Sequence, residues 1–323
     1  MYEHFCVSRE TASDYIKLFV NRLAYGMQFV RPAADGSFPY FLAKDKATDE
    51  PKALNADVVR MHLNGDITIN LFSTNPRTQR SKWVAIDADF DGAIEALSKL
   101  QWELKQDGVE AALEQSRRGG HLWVFGATPL LASEARIYIY NLALRLGVPI
   151  VGGGLKQGIE VFPKQDRLED GEYGNAIRAP MGVHRKSNRR YWFYEAAPNP
   201  EAQIAYIHRL KKLTEVELKT FIQGMTLPAA YQKPKPVAYV PAAFPGKRDE
   251  FRILQCVTIN PRARDRINWV ARCPSCARAG RDRAGDNLKI QKADPRKYQC
   301  FAGCSKEDIR EALGRPIRHR FTA

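Results

Sequence analysis

Residues 84–91 read VAIDADFD, and this stretch decides the fold. Apolar and acidic residues alternate in it, as in a strand whose successive side chains point to opposite faces. Trp83, Ala85, Asp87 and Asp89 then share one face, while Val84, Ile86 and Ala88 share the other and look toward a core. Burial of the apolar face pins the register, so both carboxylates are held on one side, about two strand rises apart. Carboxylates so placed repel each other unless a cation lies between them, and a divalent ion meets that need. The competing reading is a strand end whose aspartates form a turn and cap the next helix. Asp91 is the better cap, opening DGAIEALSKLQWELKQDG with Gly108 at its end.

Outward from this strand, short strands alternate with amphipathic helices. The spacing of Tyr15, Ile16, Phe19 and Leu23 predicts a helix over 12–25, stopped by Gly26. Strands are expected at 67–72, 121–125, 158–162 and 190–195, and helices at 133–146, 201–212 and 214–223, the last opened by a Thr214–Glu217 capping box. This is an α+β pattern without internal repeats.

Three further segments carry chemistry. In GIEVFPKQ, Ile159 and Val161 face the core, which leaves Glu160 on the opposite face with Lys164 and Gln165 just beyond; a solvated glutamate is the plain alternative. In QSRRGGHLWVF, Ser116, the two arginines and His121 can all donate to phosphate oxygens, and the glycines permit close backbone approach; a simple hairpin turn is the alternative. Arg185, Lys186, Arg189 and Arg190 precede Tyr191, Trp192, Phe193 and Tyr194, a mixture suited to tracking and stacking on a nucleic-acid strand, or equally a basic turn followed by a core strand.

Cys273-x2-Cys276 and Cys300-x3-Cys304 are two knuckles separated by 23 residues, a spacing that suits tetrahedral structural zinc. NLKIQK and KYQCF read as ribbon strands and SKEDIREALG as a closing helix. Zinc is expected to be required for so small a module to fold. Cys6 and Cys256 are left over. The charge follows the same division. Of the net +14, residues 246–323 hold 19 Lys and Arg against nine Asp and Glu, a net of +10, and the first 245 hold 31 against 27. A basic balance implies a polyanionic partner, nucleic acid or an anionic membrane surface. Arg262, Arg264, Arg266, Arg272, Arg278, Arg281 and Arg283 would give the cysteine module a basic face. Five prolines between 228 and 245 predict an extended linker. The absence of a long apolar run or a secretory h-region points to a cytoplasmic protein with no membrane contact.

Taken in order, VAIDADFD (84–91), SRRGGHLWVF (116–125), IEVFPKQ (159–165) and GNAIRAPMGVHRKSNRRYWFY (174–194) resemble the motifs of the archaeo-eukaryotic primase, or primase-polymerase, superfamily, in its mobile-element and conflict-system branch, which includes the CRISPR-associated enzymes. The C-terminal segment is similar to the zinc ribbons fused to phage and plasmid primases. The resemblance implies an RRM-like catalytic sheet with flanking helices over 1–200, a helical extension over 201–227, the linker at 228–245 and a basic zinc-binding module over 246–323. It implies that Asp87, Asp89 and Glu160 hold Mg²⁺ or Mn²⁺, that Ser116 and His121 contact the incoming nucleotide's triphosphate, with Lys164, Arg178 and His184 also on the nucleotide, and that Arg185, Arg189 and Arg190 contact nucleic acid. The implied activity is primer synthesis or extension on a single-stranded DNA template from NTPs or dNTPs, with a helicase or other replication protein as a possible partner. Two departures stand out: the third acid is Glu, and the Ser-to-His spacing is longer than the strict motif. A non-catalytic replication factor that binds single strands, and a metal-dependent nuclease, are the competing readings.

Overall fold

The computed structural model describes residues 3–152, 154–232, 251–263 and 265–317. Along the chain, α1 (Arg9–Phe19) leads to β1 (Tyr25–Gln28) and β2 (Tyr40–Leu42), and α2 (Ala56–Asn64) leads to β3 (Ile69–Phe72) and β4 (Arg80–Ala88). Next come α3 (Ala93–Gln106), the hairpin of β5 (Ala111–Gln115) and β6 (Gly120–Leu131), α4 (Ala132–Arg145) and β7 (Ile159–Phe162). The strands β8 (Ala176–Arg178), β9 (Val183–His184) and β10 (Arg189–Arg190) precede α5 (Pro200–Arg209) and α6 (Glu215–Phe221). The rest comprises β11 (Asn268–Ala271), α7 (Pro274–Arg278), β12 (Leu288–Gln291), β13 (Tyr298–Cys300) and α8 (Lys306–Ala312). The chain divides into two compact units, Met1–Pro236 and Val237–Ala323.

The first unit is built on two four-stranded antiparallel sheets, ordered β5-β6-β4-β7 and β2-β1-β3-β8. One face of the first sheet, through Val84, Ile86, Leu122, Val124 and Val161, packs on α3 and α4. The other, through Trp83, Ala85, Trp123, Phe125 and Phe162, meets α1, α2, α5 and the second sheet. β4 is thus buried on both sides through its middle, and its polar residues come at its two ends, Arg80, Ser81 and Lys82 at the start and Asp87 near the finish. The helical extension does not stand apart: Ile204 and Ile207 enter one core and Leu213 and Leu218 the other. The Thr214–Glu217 capping box forms as its sequence predicts.

Several local expectations are corrected. α1 starts earlier, capped by Ser8, and ends before Gly26, which lies in β1 where Asn70 Oδ1 accepts its N–H at 2.7 Å. β4 ends at Ala88, so Asp89 is just past the strand, and the cap of α3 is Gly92 at φ 85°, not Asp91. Gly92 takes a left-handed conformation open to glycine without steric cost, and no side chain caps the helix. In place of a strand over 190–195, only Arg189 and Arg190 pair with β9, while Phe193 bridges to Glu114 at the edge of β5. The start of the proposed linker is docked: Ala229–Tyr231 forms a 3₁₀ turn, and Tyr231 packs edge-on against Tyr140. Residues 233–245 of that linker lie outside the described residues.

In the second unit, β11, β12 and β13 form an antiparallel sheet. The two ribbon strands and the closing helix, capped by Ser305, lie where the sequence places them. Leu288, Ile290, Tyr298 and Ile309 make a small core around Cys273, Cys276 and Cys300.

Candidate active site

β4 lies between β6 and β7, so Asp87 sits directly across from His121 on one side and Glu160 on the other, and Glu114 of β5 sits across from His121. Residues directly opposite in antiparallel pairs share a face. Glu114, His121, Asp87 and Glu160 therefore form one row over four strands, at the polar end of the face that carries Trp83, Trp123 and Phe162.

The β5–β6 hairpin closes over the end of β4. A Cβ on Gly119 would lie 2.0 Å from the Ala88 carbonyl oxygen, and one on Gly120 would lie 2.8 Å from that of Glu114, so only glycines let the backbones approach this closely. Ser116 Oγ accepts the Gly119 N–H at 3.2 Å and lies 3.5 Å from Asp89 Oδ1. Arg118 pairs with Asp89, and Lys164 Nζ lies 2.9 Å from Glu160 Oε1. Asp87, Asp89, Glu160, Arg118 and Lys156 line a cleft of about 240 Å³.

Charge is unevenly relieved along the row. Burial pushes the Asp87 carboxyl up; His121 opposes this, and Asp89 and Glu160 add to it. Its Oδ1 is buried without a hydrogen bond, with His121 Nε2 3.5 Å away. Glu114 is wholly buried, which alone would raise it, but Arg178 and His121 outweigh burial and hold it below the ordinary value. For His121, burial pulls down while Glu114 and Asp87 pull up, and the net shift is upward. Burial, then Arg178 and Arg117, push His184 down to about 4.

The profile of the TOTE conflict system archaeo-eukaryotic primase domain matches residues 36–221, more than half of the chain. The chain belongs to this family. Among solved structures it is similar to the catalytic domain of primase RepB' in complex with initiator DNA, at 15% identity over 62% of this chain and 93% of that one, with a TM-score of 0.31. It is also similar to the polymerase domain of Mycobacterium tuberculosis Ligase D in complex with DNA, at 12% identity over 66% and 86% of the two chains, with a TM-score of 0.34. No curated protein matches. Membership of the archaeo-eukaryotic primase family supports a primase- or polymerase-type nucleotidyltransferase role.

Within this primase domain the expected site residues fall into three groups. Asp87, Glu160 and His121 share the row, with Asp89, Ser116 and Lys164 at its margin. Arg178 approaches from β8 of the second sheet, its Nη2 3.1 Å from Glu114 Oε1 and its Nη1 buried with no hydrogen-bond partner. The basic segment is largely committed to the fold: Arg185 donates to the Gly65 carbonyl, and Arg190 to those of Glu3 and Met181. Phe193 is buried and Tyr191 and Trp192 half-buried, while Arg189 and Tyr194 are exposed. The orphaned Asp87 oxygen and the repulsion it feels fit a divalent cation. Asp89 and Glu160 are turned toward Arg118 and Lys164, and among the described residues the four cysteines are the one group of three or more His, Cys, Asp or Glu whose ligand atoms all lie within 4.8 Å of one another. Glu114 was not singled out in the sequence. Its signal was the hairpin itself, since counting back from the loop at 116–119 sets 114 opposite 121.

The cysteine cluster has the donor chemistry of a structural zinc site. A Zn–S bond of about 2.3 Å sets the sulfurs of a tetrahedron about 3.8 Å apart, and Cys276 Sγ lies 3.6 Å from that of Cys300 and 3.4 Å from that of Cys304. Cys6 and Cys256 are exposed and outside the cluster. A groove of about 540 Å³ in this module is lined by Lys289, Lys297, Lys306, Tyr298 and Phe301, cations and aromatics that the arginine-based reading had not named. Arg264 lies outside the described residues. No helix among the described residues is long and apolar enough to cross a membrane.

Proposed function

We propose that this chain is a DNA primase-polymerase that synthesises or extends primers on single-stranded DNA from NTPs or dNTPs. The observation that carries this reading is the buried oxygen of Asp87 that has no hydrogen bond, flanked across the sheet by Glu160 and His121. Asp87, Asp89 and Glu160 would hold Mg²⁺ or Mn²⁺, with Arg118 and Lys164 giving up their ion pairs. When bound, the ion supplies charge compensation and activation of the attacking hydroxyl for in-line displacement. Ser116, His121 and Arg178 bind and orient the triphosphate, and the unpaired Arg178 Nη1 is the donor kept in reserve for it. His184, uncharged at neutral pH, and Lys164 would add to the nucleotide contacts. The cysteine module holds zinc, and its lysines and exposed Phe301 hold template by backbone contact and stacking.

The test is incubation of single-stranded DNA with labelled nucleotides and Mg²⁺ or Mn²⁺, with and without a primer. Longer labelled strands are expected, and Asp87→Ala and Asp89→Ala should each lower incorporation by roughly a thousandfold or more while DNA binding persists. Undiminished incorporation by these variants would exclude the mechanism, and shortened strands would identify a nuclease instead.

A further inference from the structure

Glu114 is a carboxylate with no exposed surface that has no part in holding the metal or the nucleotide as described above. Removing a carboxylate from water costs several kcal/mol unless charged donors surround it. Here they do. Oε2 accepts from His121 Nδ1 at 2.8 Å and from Trp123 Nε1 at 3.0 Å, and Oε1 accepts from Arg178 Nη2 at 3.1 Å. The donors come from two sheets: His121 and Trp123 stand on β6, and Arg178 on β8. The backbone of Glu114 is fixed as well, paired to His121 on one side and bridged to Phe193 on the other.

We propose that Glu114 is a positioning residue for nucleotide binding: it commits His121 Nδ1 as a donor, so that Nε2 is the ring nitrogen presented beside Asp87, and it anchors one arm of Arg178 so that Nη1 faces the substrate. A carboxylate that orients an imidazole through its far nitrogen is a general device for fixing the tautomer and ring plane. What this structure adds is the second oxygen, which ties the orientation of the guanidinium to that of the ring. A single side chain thereby sets two phosphate-binding groups that belong to different sheets. The inference rests on the primase-polymerase reading for its substrate, though not for the contacts themselves.

The test uses the full chain. In Glu114→Gln the amide offers one acceptor oxygen, so it cannot serve His121 and Arg178 together. The KM for the incoming nucleotide should rise about tenfold with a smaller change in kcat. In a double-mutant cycle with His121→Ala, the double variant should be within about twofold of His121→Ala alone, because with the imidazole gone the single amide oxygen is free to serve Arg178. A wild-type KM in Glu114→Gln, or losses that multiply in the double variant, would overturn the proposal. A readout independent of turnover is the imidazole proton of ¹⁵N-labelled His121. Wild type should show a far-downfield proton attached to Nδ1, moved upfield in Glu114→Gln. An Nδ1 without a proton in wild type refutes the tie even if the variant does not fold. If the proton behaves as expected and wild type incorporates nothing, the polymerase reading fails and the Glu114–His121 contact stands.

Discussion

His62 is shut away from water and Asp87 has one carboxylate oxygen that is, and what each has left over separates their roles. Both ring nitrogens of His62 are used: Nε2 bonds the Pro180 carbonyl at 3.0 Å, and Nδ1 accepts the Ile69 N–H at 3.4 Å. Gly182 packs so tightly against the ring that a Cβ would lie 1.8 Å from it. His62 therefore braces the turn, with Met181 at φ 66°, that leads from Arg178 to His184. Asp87 Oδ1 and Arg178 Nη1 instead keep unspent bonding capacity, and such atoms are where a ligand is expected. Burial brings the His62 pKa down from 6.5 to about 4. The unfolded chain thus takes up a proton below about pH 6.5 that the folded chain refuses until about pH 4. The stability from neutral His62 is complete above the upper value and is lost as pH falls through this window, by roughly 3 kcal/mol. Thermal melts of wild type and His62→Asn from pH 7 to pH 4 should show a steeper decline in wild type, and parallel curves would refute this assignment.

The β5–β6 hairpin is the element that turns an acidic strand into a site. Its loop brings Ser116 and Arg118 to Asp89, and it can do so only because Gly119 passes over the end of β4 with no side chain between the backbones. In Gly119→Ala the added methyl would meet the Ala88 carbonyl, and neither partner is a flexible side chain that can yield. The expected result is a loss of incorporation of at least about tenfold with a fall in stability of about 1–3 kcal/mol, read by nucleotide assay and thermal melt; a variant equal to wild type would show that the close approach is dispensable. The same element marks the limit of what the chain reveals as text. Alternation exposed β4, β6 and β7, because one face of each is bounded by strong apolar residues, and the capping box exposed α6. β5, AALEQ, is too weakly alternating to stand out, and β8 offers three residues. Glu114 and Arg178 therefore meet through long-range pairing that no local pattern encodes. Asp89 eluded its placement for the opposite reason: the pattern runs on past Ala88, whereas the chain leaves the sheet to let Gly92 start α3.

At the scale of the molecule, the net charge of +14 separates into a nearly balanced catalytic unit and a basic module whose core is small. In the larger unit two extensive apolar clusters hold the sheets. In the module, Ile253, Leu288, Ile290, Tyr298 and Ile309 surround the cysteines, too little apolar surface to offset the chain entropy of some sixty residues without a cross-link. Zinc held by the four thiolates would supply that cross-link, and its binding free energy would be folding free energy. A strong chelator, or Cys273→Ser, should therefore unfold the module and leave the catalytic unit intact. Limited proteolysis of the full chain should show rapid cleavage beyond residue 250 with chelator, while the larger unit resists. Calorimetry should keep the transition of the larger unit unchanged. Primer extension should persist in part on templates supplied at high concentration and fall at low concentration if the module's function is the template capture proposed above, because the carboxylates remain in place. Concerted melting of both units, or a Cys273→Ser chain that keeps its zinc and its protease resistance, would contradict this division of labour.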